Sequence, residues 1–132
     1  MSADIGMARE TERTVADVTL DELAVLLREF VAAREWEQFH RPKNLAMALA
    51  GEVGELLAEL QWLTPGEAAR VMEDPEAAAR MRSELADVSI YLVRLADVLN
   101  VDLIEAARAK LADSERRYDV ENYRGSARKA PH

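Results

Sequence analysis

Apolar positions recur along this chain every three to four residues, and each run begins at a recognisable start signal. Thr19 followed by Glu22 has the form of a capping box, and Leu23, Leu26, Leu27, Phe30 and Val31 then trace one face of a helix. The pattern predicts a helix from about Leu20 to Gln38. Pro42 suits the first turn of a second helix, reaching about Trp62. Thr64, Pro65, Gly66 and Glu67 supply a cap, a first-turn proline and a capping-box glutamate for a short helix to about Met72. Asp74 and Pro75 repeat the signal for a third long helix, Pro75 to Leu99. Asn100 interrupts the run, and Asp102 with Glu105 opens a fourth that ends near Tyr118. No stretch alternates with period two, so no sheet is expected.

The expected fold is all-α: an antiparallel bundle of four main helices plus a short connecting helix. The first connection is short, which sets its two helices antiparallel. The helix from Pro75 is apolar nearly all round, with Leu85, Val88, Ile90, Tyr91, Leu92, Val93 and Leu95. A small bundle cannot cover such a helix on every side, which predicts assembly with further copies. Residues 1–18 read as a disordered leader, 19–119 as the domain and 120–132 as a mobile tail.

Composition narrows the function. At 132 residues, 49% hydrophobic and 32% charged, the chain matches one soluble domain with its own core. There is no apolar stretch of membrane-spanning length and no hydrophobic segment of a secretory signal near the start. Absence of cysteine removes disulfides and thiolate metal sites and fits a reducing cytoplasmic setting. A net charge of −8 argues against a nonspecific nucleic-acid binder. Phosphate remains within reach if metal ions stand between the like charges.

Two acidic pairs are candidates for that metal site: Glu52 with Glu55, and Glu84 with Asp87. Residues three apart face the same side of a helix. Spacing alone means little, because 25 acidic residues in 132 give roughly five such pairs by chance, and most are solvated. Position sets these apart. Glu52 interrupts the apolar line Leu45, Leu49, Leu56, Leu60, while Glu84 and Asp87 flank Leu85 and Val88. Sheltered carboxylates need a partner, and no lysine or arginine lies at those turns; Arg94 is nearest in phase. An all-oxygen set suits Mg2+, with Mn2+ an alternative. Solvated or proton-sharing carboxylates are the competing reading. Gly51 and Gly54, costly inside a helix, signal either close helix packing or room for metal and phosphate.

The run Arg34-Glu35-Trp36-Glu37-Gln38-Phe39-His40, then Pro42, Asn44-Leu45 and Gly51-Glu52-Val53-Gly54-Glu55-Leu56 up to Gln61-Trp62, resembles the dCTP pyrophosphatase branch of the MazG-like all-α nucleotide pyrophosphohydrolases. Glu84-Leu85-Ala86-Asp87-Val88 with Tyr91-Leu92 resembles the family's second acidic motif, completing ExxE, spacer, ExxD. Arg116-Arg117-Tyr118 and Arg124-Gly125-Ser126 resemble its C-terminal signature. The resemblance implies a homodimer or homotetramer that hydrolyses nucleoside triphosphates between the α and β phosphates. It implies Mg2+ held by Glu52, Glu55, Glu84 and Asp87. Trp36, Trp62 and Tyr91 would line the nucleotide pocket, and Lys110 and Arg117 would lie near phosphate. Three positions depart from the pattern: Leu27 stands for a histidine of cytosine-preferring relatives, Ser114 for a common asparagine and Asp119 for a proline. They touch base preference and leave the acidic motifs intact.

Ordinary roles compete at several of these residues. The two tryptophans also suit core or interface anchors. They bracket about 20 residues of helix, roughly 30 Å at 1.5 Å each, so one straight hairpin cannot bring both to one base. If both bind nucleotide, they come from different subunits. Lys110, Arg116 and Arg117 complement a helix dipole, and a buried Tyr91 with a satisfied hydroxyl is as good a reading as a ligand contact. His40 and His132 have no metal-partner spacing. There is no P-loop. A di-iron bundle would want Glu-x-x-His pairs, which are absent. A non-catalytic helical interaction module with surface acids is the remaining rival.

Overall fold

The computed structural model describes residues 18–132; the expected leader lies outside them but for its last residue. Six α-helices and one 3-10 turn make up the described residues, with no strand among them. They are α1 (Leu20–Ala33), α2 (Pro42–Leu60), α3 (Pro65–Ala69), the 3-10 turn Val71–Glu73, α4 (Pro75–Val98), α5 (Leu103–Arg117) and α6 (Val120–Tyr123).

The start signals act as local chemistry predicts. Thr19 Oγ1 accepts from the Glu22 amide at 3.2 Å. Thr64 and Glu67 form the reciprocal capping box, at 3.2 and 3.0 Å. Asp74, Asp102 and Asp119 cap α4, α5 and α6 by accepting from Ala77, Glu105 and Asn122. Each bond satisfies a donor that a helix start leaves without an intrahelical partner.

The C-terminal end of α1 differs from expectation. Periodicity carries the helix to Gln38, but it stops at Ala33. Glu35 adopts φ +54°, its amide donates to Ala32, and the Trp36 amide reaches back to Val31 at 3.1 Å. This is a Schellman closure with glutamate where glycine is usual. An αL glutamate is disfavoured by sequence rules, but Phe30 and Trp36 pack edge to face at 5.8 Å and hold the turn. Asn100, at φ +55°, closes α4 the same way, with Val101 bonding back to Ala96.

α4 is the central element, packed against both α2 and α1. The buried apolar set is small: Val31 from α1, Leu45 from α2, Ala78, Met81, Val93 and Ala96 from α4, and Ala130 near the C-terminus. The expected all-round apolar helix is therefore only partly covered within one chain, since Leu85 and Leu92 are half exposed. No residue of α5 is buried. Past α5 the chain turns back: Tyr118 meets Tyr123 edge to face at 5.0 Å, and Arg117 Nη2 donates to the Pro131 carbonyl at 3.5 Å.

Candidate active site

The α2–α4 pairing brings Glu52 and Glu55 opposite Glu84. One carboxylate oxygen from each lies within 4.8 Å of the others. Glu52 Oε2 and Glu84 Oε2 are sealed from solvent and have no hydrogen-bond partner. Burial pushes the Glu52 carboxyl above its ordinary value of 4.5, and the neighbouring Glu55, Asp87 and Glu84 push it further. Glu84 is raised for the same reasons, burial first, then Glu55 and Asp87. Asp87 sits outside the tight group of three but close enough to act on both. No ion pair to any of the four exists among the described residues. Arg80, four residues before Glu84 on α4, is taken by Glu59 at 2.9 Å.

Such an arrangement is unfavourable by itself, because repulsion adds to the loss of hydration. Two sealed oxygens without donors, in an all-carboxylate group, fit a hard divalent cation. A Cβ added at Gly51 or Gly54 would meet nothing within 4 Å. Close helix packing inside this chain is thus not why they are glycine, and the space at these two positions is open.

One turn further along α4 stands Tyr91, at the wall of a cavity of about 350 Å³. Its lining is mostly hydrocarbon and aromatic: Leu26, Leu27, Phe30 and Val31 from α1, Trp36 from the Schellman turn, and Ile90. Polar groups enter through Tyr91, His40 and Arg94. Glu84, Asp87, Tyr91 and Arg94 are spaced three, four and three residues apart, so one stripe of α4 runs from the acidic group to the cavity. Ten residues at 1.5 Å make it about 15 Å long.

The MazG-like family profile matches residues 48–131.

The chain belongs to the MazG-like family.

It is 47% identical over 111 residues to dCTP pyrophosphatase 1 of Homo sapiens, a match covering 84% of this chain and 65% of that protein. To dCTP pyrophosphatase 1 of Bos taurus it is 45% identical over 112 residues, covering 85% and 66%. The chain thus spans just under two thirds of the length of these curated relatives. Among solved structures, a pyrophosphatase from Archaeoglobus fulgidus DSM 4304 superposes with a TM-score of 0.71 at 40% identity, covering 76% of this chain and 92% of that one.

Of the residues that this MazG-like sequence singles out, the structure gathers Glu52, Glu55 and Glu84, sets Asp87 beside them, and places Trp36 and Tyr91 on the adjoining cavity. It does not bring the others there. Trp62, just past the far end of α2, is 87% exposed. Lys110 lies exposed on α5. Arg117 pairs with Asp113 at 3.8 Å and bonds the Pro131 carbonyl, while its Nε is sealed without a partner.

Sequence reasoning left a polar network unassigned. Arg94 is 6% exposed. Its Nε donates to His40 Nδ1 at 3.1 Å and its Nη1 to Asp97 at 3.1 Å. Asp97 also receives Arg28 of α1 through two bonds, 2.7 and 3.0 Å. These bonds, with burial opposing them, hold the Asp97 carboxyl below its ordinary value, the Arg28 hydrogen bond being the largest cause. The available signal was Arg94 itself, a cation three residues beyond Tyr91 on the stripe that faces α1.

Proposed function

We propose that this chain hydrolyses nucleoside triphosphates, dCTP or a related pyrimidine deoxynucleotide first among them, to a monophosphate and pyrophosphate, clearing the nucleotide pool of the cytoplasm. One observation carries the reading: three carboxylates converge with two sealed, unpartnered oxygens, about two helical turns along α4 from an apolar cavity with an aromatic wall. The names of the relatives support it.

Glu52, Glu55 and Glu84, with Asp87 beside them, would hold Mg2+ (Mn2+ is the alternative). Bound there, the cation would neutralise triphosphate charge and acidify water. The chain's own residues do the rest. Trp36 and Tyr91 orient the base in the cavity and exclude water from it. A carboxylate of the group, unprotonated, accepts the proton of the attacking water. The water oxygen bonds to the α phosphorus, the bond from that phosphorus to the bridging oxygen breaks, and pyrophosphate departs.

We also read the chain as a homodimer or homotetramer. Phe39, Met47, Leu57, Trp62 and Leu111 are all more than half exposed, which is costly for an isolated subunit. No described helix is long and apolar enough to cross a membrane, so these surfaces are not those of a helical membrane span.

The test is a panel of dNTPs and NTPs with Mg2+, resolving pyrophosphate from orthophosphate. Pyrophosphate release that disappears in Glu84→Gln, on an intact fold, is the expected result. No turnover, together with no stabilisation by metal or nucleotide, would leave an inert helical module.

A further inference from the structure

The stripe of α4 that carries Glu84, Asp87, Tyr91 and Arg94 begins one turn earlier, at Arg80. Along it lie a cation, the acidic group and the apolar cavity, in that order, with Arg80 about 6 Å along the axis from Glu84. Arg80 Nε donates to Glu59 Oε2 on α2 at 2.9 Å. Glu59 itself stands near the acidic group: the Glu84 carboxyl, raised first by burial, feels its charge as well as those of Glu55 and Asp87. The guanidinium is therefore tied to the rim of the carboxylates, at the end away from the cavity. The bond occupies Nε alone. The two terminal nitrogens make no hydrogen bond among the described residues, and the side chain is 55% exposed. Glu59 is more sheltered, at 21%, and would lose its cation if Arg80 withdrew. The pair thus holds one edge of the guanidinium in place and leaves the terminal donors open to a further ligand. The other cations that could meet an anion are elsewhere: Arg94 is held by His40 and Asp97, and Arg117 by Asp113 and the Pro131 carbonyl.

A nucleoside triphosphate is strung in a matching order, base, sugar, α phosphate, then β and γ phosphates. With the base against Trp36 and Tyr91 and the α phosphate at the carboxylates, the last two phosphates run on toward Arg80. Two donors of one guanidinium match two phosphate oxygens.

We propose that Arg80 binds the β and γ phosphates, the pyrophosphate that leaves, through its terminal nitrogens, with Glu59 as the positioning residue that fixes its Nε. This rests on the nucleotide reading given above. When the bond from the α phosphorus to the bridging oxygen breaks, its electron pair stays on that oxygen. The guanidinium meets the negative charge that grows on the departing pyrophosphate. It moves no proton, because arginine stays charged. The monophosphate product has nothing at that end of the stripe, so Arg80 distinguishes the two products.

The experiment measures, by calorimetry, the binding of inorganic pyrophosphate and of dCMP, each with Mg2+, to wild type, Arg80→Gln, Arg80→Lys and Glu59→Gln. Arg80→Gln should weaken pyrophosphate about tenfold or more and leave dCMP within about twofold. Arg80→Lys keeps the charge without the fork and should fall between. Glu59→Gln retains an acceptor for Nε and removes a negative charge, so it should bind pyrophosphate as tightly as wild type or up to about fivefold tighter. A surface tie between α2 and α4 behaves otherwise, since Arg80→Gln and Glu59→Gln would break it equally and move both ligands alike. In turnover, kcat/KM for dCTP should fall in Arg80→Gln by the same factor as pyrophosphate affinity. That keeps the test decisive if wild type holds pyrophosphate too weakly for calorimetry. Pyrophosphate affinity or dCTP kcat/KM unchanged in Arg80→Gln, or an equal weakening of pyrophosphate in Glu59→Gln, overturns the assignment of Arg80 while leaving the pyrophosphatase reading intact. Absence of all nucleotide turnover in wild type overturns both.

Discussion

Asp97→Asn isolates the network that ties α1 to α4. Asp97 takes the charge of two arginines whose surroundings differ. Arg28 is 57% exposed at its side chain, so its bonds to Asp97 are worth about 0–1 kcal/mol despite good geometry. Arg94 is different: its side chain is 8% exposed and that of Asp97 16%. Removing one member of a buried pair strands the other and costs about 3–5 kcal/mol. Asparagine keeps the shape and one acceptor oxygen but turns an amide donor toward a guanidinium, which places the loss near the lower end, about 3 kcal/mol. At about 2.1 cal/mol/K per residue, 132 residues have an unfolding entropy of about 0.28 kcal/mol/K, so Tm should fall by about 11 °C at pH 7. The sign with pH follows from the direction of the shift. The folded-state value of Asp97 lies below 3.8, so its contribution is complete above pH 3.8 and is lost as pH falls through the depressed value. Thermal melts followed by circular dichroism should show the gap between wild type and variant closing in that acid range. Replacing both partners, as Arg94→Met with Asp97→Leu, should recover most of the loss. A single variant melting within about 3 °C of wild type at pH 7, or a gap unchanged well below pH 3.8, would refute the charge argument.

Four further outcomes follow from the geometry. Glu52 and Glu84 hold protons more tightly folded than unfolded, so without metal the protein loses stability as pH rises from 4.5 through their raised values; Glu84→Gln should melt higher than wild type at neutral pH in chelator. The same variant should lose the stabilisation that Mg2+ gives wild type, about 2.7 kcal/mol at a hundredfold excess over Kd, which calorimetry at several metal concentrations reads directly. Trp36→Ala removes an aromatic face from the cavity, and loss of about 1–3 kcal/mol of stacking should raise KM by roughly 5- to 150-fold with a smaller change in kcat; an unaltered KM would take Trp36 out of the site. Thr64→Ala breaks the capping box of α3 and should cost about 1 kcal/mol, or about 4 °C in Tm, with turnover retained; a loss of turnover would tie α3 to the site.

What the sequence made legible is what local chemistry decides. Caps at Thr19, Thr64, Asp74 and Asp102 place the helix starts to within a residue, because a side-chain acceptor three residues ahead of an amide is read without tertiary information. The acidic group was legible because Glu52 breaks an apolar line, a cost visible in one dimension. The end of α1 was not, because Glu35 enters the left-handed region only once Trp36 packs on Phe30, a contact that residue spacing does not encode. Nor was the His40–Arg94 bond, which joins residues 54 apart. A histidine in a turn and an arginine on a helix look ordinary until folding seals one against the other.

The exposed residues bear on why the site is arranged along α4 rather than across the bundle. α4 contacts α2 on the side of the carboxylates and α1 on the side of the cavity, so both halves of the site share one rigid element and their spacing is set by helix geometry. That leaves other faces of α4, and much of α5, with little apolar cover from this chain: Leu85 is 50% exposed, Ile104 47% and Leu111 61%. A second copy could cover them without disturbing the α1–α4–α2 contacts that hold the stripe in place. The same logic applies to Trp62. Nineteen residues of α2 span about 28 Å, so an indole beyond the end of that helix cannot reach the cavity that Trp36 lines in its own chain. Left 87% exposed, it would be available to another subunit in the proposed homodimer or homotetramer. In that arrangement assembly and substrate binding draw on the same tryptophan, and dilution to monomers should weaken nucleotide affinity even though every residue of the acidic group belongs to one chain.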